Sequence, residues 1–356
     1  MDTKSQRKVS PIDGAWSTTQ IMASLAKALV GDGPALGFGA ITSTEVEQKA
    51  AVLVTSTGST GANKEFSLSA GALLASAKAA NKYLNANFGE TWSLLLPLTH
   101  VAAVNVLVRS LELGTIPVNL VGHNGEFPKV DYTSIVPTQL YNALNGDDRL
   151  LKHLQSAKAV LVGGAALNSE LEAQAVAVGI NVIKTYGMSE TSGGCVYNGE
   201  PLEGVQVAIA DSGFIKISGP VLANNLALDA QNCFVTSDRG EIVNGRLQVL
   251  GRGDDVIISG GENISLSEIE AAISQNFANF EFAAFAISSD KWGQELHIAV
   301  VNAPAEFSTR VEVLLVEKFG NAAKPKRVHQ LTALPLIGIG KVDRSTLAQL
   351  ATKSGN

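Results

Sequence analysis

Short β-branched runs and longer Ala- and Leu-rich stretches alternate along residues 50–187. AAVLVTS (50–56), WSLLL (92–96), AVLVGG (159–164) and NVIKTYG (181–187) have the length and composition of strands. Residues 69–85, 101–113, 137–145 and 168–178 carry the longer pattern of helices. Such alternation predicts a largely parallel sheet with helices packed on it. After Gly199 the pattern changes: VQVAIA, GFIKISG, CFVTSD, GEIVNG and RLQVLG are short and separated by Gly or Asn, as antiparallel strands with tight turns are. From residue 254 a compact α+β unit is expected, with strand DDVIIS, a helix over 265–276, strands FEFAAFAIS and ELHIAVV, a helix over 309–319 and a last helix over 345–351.

The fold class is therefore α/β. A large N-terminal domain (residues 1–251) carries mostly parallel sheet layers plus a small β-rich subdomain, and a small α+β C-terminal domain (252–356) follows a boundary near GRGDD. The length of 356 residues suits two domains, and 46% hydrophobic against 17% charged residues leaves ample sequence for a large core.

A net charge of −6 argues against a nucleic-acid partner, which needs a basic surface to neutralise phosphates. Two cysteines, Cys195 and Cys233, exclude a disulfide framework or a four-thiolate zinc site, and five histidines show no ligand spacing. The N-terminus has no signal-peptide pattern. Residues 91–108 form an uncharged stretch of 18, the lower limit for a membrane span, but Pro97, Thr99, His100 and Asn105 break it into a strand and a helix. No membrane span is expected, and the cytoplasm is the expected compartment.

Candidate chemistry begins at LVTSTGSTGANK (53–64), where hydroxyls, glycines and a lysine suit a polyphosphate. It is not a Walker loop, because Lys64 lies between Asn63 and Glu65; nor is there a dinucleotide fingerprint, since Thr42 stands where a third glycine would follow Gly37 and Gly39. Further polar clusters recur at expected strand ends, where open parallel sheets bind ligands. These are GGAAL (163–167), YGMSETSGG (186–194), with Glu190 suited to a Mg²⁺ shared with phosphates, and TSD (236–238), with Asp238 suited to ribose hydroxyls. GRGDDVIISGGENIS (251–265) and PLIGIGKVDR (335–344) complete the series.

In this order and spacing the motifs resemble those of the adenylate-forming superfamily of acyl-CoA synthetases, luciferases and adenylation domains, over residues of about 50 to 346. The compact form, with LLLPLTHVAAVNVLVRSLELGT and SIVPTQLYNAL, looks most like the short 2-succinylbenzoate-CoA ligases of bacterial menaquinone biosynthesis. The resemblance implies an ATP-dependent ligase acting through an acyl-adenylate, with Mg²⁺ as cofactor and ATP, CoA and a small carboxylic acid as partners; a homodimer is left open. Against the family pattern, Asn63 replaces a proline, Ala103 and Ser237 replace glycines, and Asn142 stands where related ligases can carry a basic residue.

Carried over residue by residue, the resemblance assigns Thr57, Ser59, Thr60 and Lys64 to the β and γ phosphates and Ser189 to the α-phosphate. It gives Glu190 to Mg²⁺, Gly164, Ala165 and Tyr186 to adenine, and Asp238 and Arg252 to the ribose and nearby phosphate. Lys341 becomes the catalytic lysine and Asp254 the hinge of a mobile C-terminal domain. Gly260 and Gly261 would line the CoA tunnel, with His100, Gln139, Gly187 and Gly193 beside the acyl group. The alternatives are a ligase for another aromatic or aliphatic acid and a non-catalytic nucleotide-binding protein.

Overall fold

The computed structural model describes residues 6–57, 63–277, 280–289, 291–337 and 341–353. The chain divides into two compact units: residues 1–208, 216–235 and 242–247 form the first, and 209–215, 236–241 and 248–356 the second.

Two sheets lie wholly within the first unit. One runs in the order Glu45–Glu47, Gln6–Pro11, Ala35–Phe38, Ala50–Thr57, Asn63–Ser69, with its three central strands parallel and both edges antiparallel. The other runs Glu200–Pro201, Gly193–Tyr197, Val182–Met188, Ala159–Val162, Tyr132–Ile135, Trp92–Leu94, Val118–Asn119. It is parallel from Val182–Met188 onward and antiparallel at Gly193–Tyr197 and Glu200–Pro201.

The helices that join these strands form where the sequence supplies caps. Ser17 and Gln20 make a reciprocal capping box at Thr18–Leu29, and Ser69, Asp147 and Asn168 accept from the first turns of Ala70–Tyr83, Asp148–Ser156 and Ser169–Ala177. Helices Ala70–Tyr83 and Val101–Glu112 pack together and each touches the strand Gly193–Tyr197. One core gathers Leu36, Phe38, Val52, Val54, Leu73, Val104 and Leu107; a second, around Leu140, Leu154, Val160 and Ala175, lies under helices Pro137–Leu144, Asp148–Ser156 and Ser169–Ala177.

In the second unit, strand Gly293–Val301 pairs antiparallel with Phe282–Ser289 and parallel with Arg327–Leu331; Val256–Ser259 and Glu262–Ser265 form a hairpin beside it. Alternation along FAAFAISS separates two cores. Ala284 joins Ile269, Ile273, Val311 and Leu315 of helices Leu266–Asn276 and Glu306–Phe319, whereas Ala283 and Phe285 meet Leu347 and Ala351 of the last helix, Arg344–Lys353.

Candidate functional site

Four neighbouring parallel strands of the first unit end in step: Leu94 lies opposite Ser134, Ile135 opposite Val162, and Val162 opposite Lys184. Just beyond these last parallel pairs stand His100, Gln139, Gly164 with Ala165, and the segment from Tyr186 to Glu190. Backbone order alone therefore gathers residues that are up to 90 positions apart in sequence onto the carboxyl edge of one sheet (Glu190 against His100).

Each end is shaped locally. His100 occupies the N-cap of Val101–Glu112 without a side-chain cap bond, and its burial lowers its pKa, so the ring is neutral near pH 7. The Gln139 amide oxygen accepts from the Val136 N–H at 3.1 Å while its Nε2 donates to the Leu95 carbonyl at 3.2 Å. Both ends of that amide are engaged, and the residue ties two adjacent strand ends together. Gly163 lies so close to the Thr185 hydroxyl that a Cβ would overlap it, and the exposed Gly164 that follows has φ +83°.

The Tyr186 segment turns back on itself. The register slips between Tyr186 and Gly187, and a Cβ at Gly187 would overlap the Gly193 carbonyl. The Thr191 hydroxyl accepts from Met188 N–H at 3.0 Å and donates to the Gly193 carbonyl at 2.8 Å, which fixes the short helix Ser189–Thr191. Ser189 is buried and Glu190 half-buried, and the Glu190 carbonyl accepts from Ala223 N–H at 2.8 Å. Gly193, at φ +94°, presses on Asn105 of the helix beneath.

The phosphate-loop segment, read from sequence as a strand entering a loop, includes the ends of two antiparallel strands: Thr57 pairs with Asn63 and Ser56 with the exposed Lys64. Ser59 and Thr60 lie outside the described residues. Glu65 is held below its ordinary range; burial would raise it, but hydrogen bonds from Ser43 and Thr42 outweigh that. The neighbouring strand brings Gly39 against Thr55, with the Thr99 carbonyl 3.2 Å from where a Cβ would stand, so this sheet's carboxyl edge adjoins the approach to His100. The strand Ala50–Thr57 also touches the turn Ser189–Thr191.

Asp238, Arg252, Asp254, Gly260, Gly261 and Lys341 belong to the second unit. The Asp238 N–H donates to Thr236 Oγ1 at 3.0 Å, and Gly253, next to the half-buried Arg252, leaves a Cβ only 3.3 Å from the Ser237 carbonyl. The ribose candidate and the Arg252 turn are thus adjacent. Gly260 and Gly261, at φ +60° and +89°, form the two-residue turn between Ser259 and Glu262 that such positive angles permit. Lys341 pairs with Ile337 in a hairpin of two-residue strands.

Among the described residues no group of three His, Cys, Asp or Glu side chains could cage a metal. A magnesium ion needs no such cage when substrate phosphates complete its shell, and the single carboxylate of Glu190 beside the phosphate-loop strands fits that mode. Cys195 is buried and its thiol pushed up to about 12, so it is no nucleophile.

The sequence reading missed Arg109. Its guanidinium is 3% exposed, donates to the Tyr197 hydroxyl at 2.8 Å and stacks 5.1 Å from the Trp92 ring centroid. No carboxylate pairs with it among the described residues. The signal was a lone arginine in the otherwise apolar run VAAVNVLVRSL.

Comparison with known proteins adds to this geometry. The family model described as AMP-binding enzyme matches residues 17–243, and the chain belongs to that family. A probable 2-succinylbenzoate--CoA ligase of Mycobacterium tuberculosis is 35% identical, covering 94% of this chain and 95% of its own. The 2-succinylbenzoate--CoA ligase of Lactococcus lactis is 27% identical over 85% of this chain and 71% of its own. Among solved structures, o-succinylbenzoate CoA synthetase from Bacillus subtilis in complex with the acyl-adenylate intermediate OSB-AMP shares the fold, with TM-score 0.73 at 22% identity over 95% of this chain and 82% of that one. No helix among the described residues is long and apolar enough to cross a membrane.

Proposed function

We propose that the protein is an ATP-dependent ligase that joins 2-succinylbenzoate to CoA through an acyl-adenylate, in menaquinone biosynthesis. The observation that carries this reading is the 35% identity to the mycobacterial ligase along nearly the whole of both chains. The array of polar residues on adjoining strand ends supports it, since that array suits a nucleotide beside an acyl group.

In the first step a carboxylate oxygen of the acid attacks the α-phosphorus of ATP, and the bond to pyrophosphate breaks. In the second the CoA thiolate attacks the acyl carbonyl and AMP leaves. Two anions meet in the first step, so positioning and charge neutralisation are what the protein must supply. Lys64, with Thr57, Ser59 and Thr60, serves the β and γ phosphates, and Ser189 serves the α-phosphate. Glu190 would hold magnesium, which when bound neutralises phosphate charge. Gly164, Ala165 and Tyr186 frame the adenine, while Asp238 and Arg252 hold the ribose and its phosphate.

The neutral His100 imidazole flanks the acyl group without drawing the attacking carboxylate into an ion pair. Gln139 acts there by fixing the strand ends Leu95 and Val136, and Gly187 and Gly193 leave room by lacking side chains. Lys341 bridges the carboxylate and the α-phosphate. Residues 252–356 turn about Asp254 between steps, so that Gly260 and Gly261 line the CoA path in the second.

The test is CoA-dependent AMP release with ATP and Mg²⁺, comparing 2-succinylbenzoate with benzoate and a medium-chain fatty acid. A strong preference for 2-succinylbenzoate is expected. Turnover of another acid alone would overturn the substrate and keep the chemistry; no AMP from any acid would point to a nucleotide-binding protein without catalysis.

A further inference from the structure

The hairpin that carries Lys341 cannot hold itself. Its strands are two residues each, Leu336–Ile337 and Lys341–Val342, and the Leu336 side chain is exposed. An isolated hairpin of that size has no independent stability. Val342 anchors one strand by packing against the core around Phe285 and Leu347, and the rest of what fixes the lysine's backbone comes from the residues that follow.

Those residues are Asp343 and Arg344. The Asp343 N–H donates to the Pro335 carbonyl at 2.8 Å, closing the base of the hairpin, and its carboxylate accepts from Thr346 N–H at 3.0 Å and from the Thr346 hydroxyl at 2.7 Å, which starts the last helix. Arg344 then reaches three separate elements. Its Nε donates to the Ala284 carbonyl at 2.8 Å, Nη1 to Asp255 Oδ1 at 3.0 Å, and Nη2 to both Glu270 oxygens at 2.9 and 3.0 Å. Glu270 Oε1 in turn accepts from the Ala284 N–H at 2.9 Å, so the acid is itself oriented by the strand that Arg344 grips.

We infer that Arg344 is a positioning residue for Lys341: it locks the lysine hairpin to the turn Gly253–Asp255, to strand Phe282–Ser289 and to helix Leu266–Asn276. The fork geometry matters more than the charge. Four donations to three partners in fixed directions are open to a guanidinium and closed to an ammonium, which is a single mobile point of charge. Arg344 lies three residues from Lys341, and Asp255 is the residue after the proposed hinge position Asp254. The same guanidinium therefore registers the lysine against the turn about which the unit is proposed to rotate. This inference rests on the proposed role of Lys341 in acyl-adenylate formation.

The experiment measures the two half reactions separately, acyl-adenylate formation from acid and ATP and thioester formation from supplied acyl-adenylate and CoA, for Arg344→Lys, Glu270→Gln and Lys341→Ala, each checked for native-like thermal unfolding. Arg344→Lys is expected to lower kcat for adenylation about 10- to 100-fold, the cost of a misplaced catalytic group. KM for ATP and acid and the thioester step should stay near wild type. Glu270→Gln should show the same split, more weakly, and it carries the test if Arg344→Lys does not fold. Equal loss of both half reactions would reduce Arg344 to a structural anchor and overturn the inference, as would wild-type adenylation in both variants while Lys341→Ala loses it. Adenylation intact in Lys341→Ala would instead overturn the reading of the lysine, and the inference with it.

Discussion

The two units hold their functional groups by different physical means. In the first, candidates sit at the ends of parallel strands whose register is set by ladder hydrogen bonds and whose cores are packed by helices on the sheet. In the second, Lys341 sits on a two-residue strand held by the packing of Val342, by the Asp343 N–H on the Pro335 carbonyl and by the Arg344 guanidinium that follows. A position fixed by a sheet survives most single substitutions, because many bonds share the load. A position fixed by a few contacts does not, and it can also move as a piece.

The largest effect that contrast implies is at Lys341. Lys341→Ala should slow acyl-adenylate formation on the order of 10² to 10³, the scale for losing a charge contact made in the transition state. It should leave thioester formation from supplied acyl-adenylate intact. Parallel assays of acid-dependent ATP–pyrophosphate exchange and of CoA thioester formation check it, and equal losses would erase the division between the units.

A smaller effect separates two glycines. At Gly187 a Cβ would overlap the backbone of Gly193 and Gly194, which has no flexible end to move aside. Gly187→Ala should therefore cost about 1–3 kcal/mol, the range for forcing atoms into a packed site, and raise KM for the acid. At Gly261 nothing stands within 4 Å, and only φ +89° opposes a side chain. Gly261→Ala should cost about 1 kcal/mol and leave KM for the acid unchanged. Unfolding midpoints and initial rates for the pair test whether the first unit's site is limited by packing and the second's by backbone angle.

How much of this was legible follows the same division. Helices such as Val101–Glu112 and strands such as Ala159–Val162 were readable because their apolar positions follow the element's period. Strands Gln6–Pro11 and Tyr132–Ile135 were not, because their buried polar groups are satisfied by distant partners. Arg7 donates to the carbonyls of Gly33, Ala50 and Ala28, and Ser93 bonds Thr133 across neighbouring strands at 2.7 Å. Sequence shows the polar residue and not its partner. For the site, chemistry-bearing residues stood out through ordered motifs, while those that act by holding others did not. The sequence offers Gln139 as an acyl-wall candidate but does not show that its amide is tied to two strand ends, and it gives no sign that Arg344, at the end of the lysine motif, bonds to three elements.

The smallest expected effect concerns acid, and it again sets one unit against the other. In the second unit His297 Nδ1 lies 2.9 Å from His329 Nε2, with the rings stacked at 5.2 Å and Phe285 beside both. Burial lowers both pKa values; neighbouring His297 and Arg327 add to this for His329, which is pushed down to about 4, while Glu295 partly offsets it for His297. In the first unit His153, bonded to Ser93 at 2.9 Å and to the Pro128 carbonyl at 3.1 Å, is also lowered by burial, though that carbonyl pulls the other way. These imidazoles are neutral when folded, whereas the unfolded chain protonates them below about pH 6.5. Stability is therefore full above that pH and is lost as pH falls from 6.5 toward 4, because the unfolded state binds more protons there. Two imidazoles that share one hydrogen bond cannot both charge cheaply, so the second unit should carry the steeper dependence. His329→Gln should change the unfolding midpoint little at pH 7.5 and flatten its fall between pH 6.5 and 4; an unchanged slope would assign the acid sensitivity to His100 and His153 of the first unit.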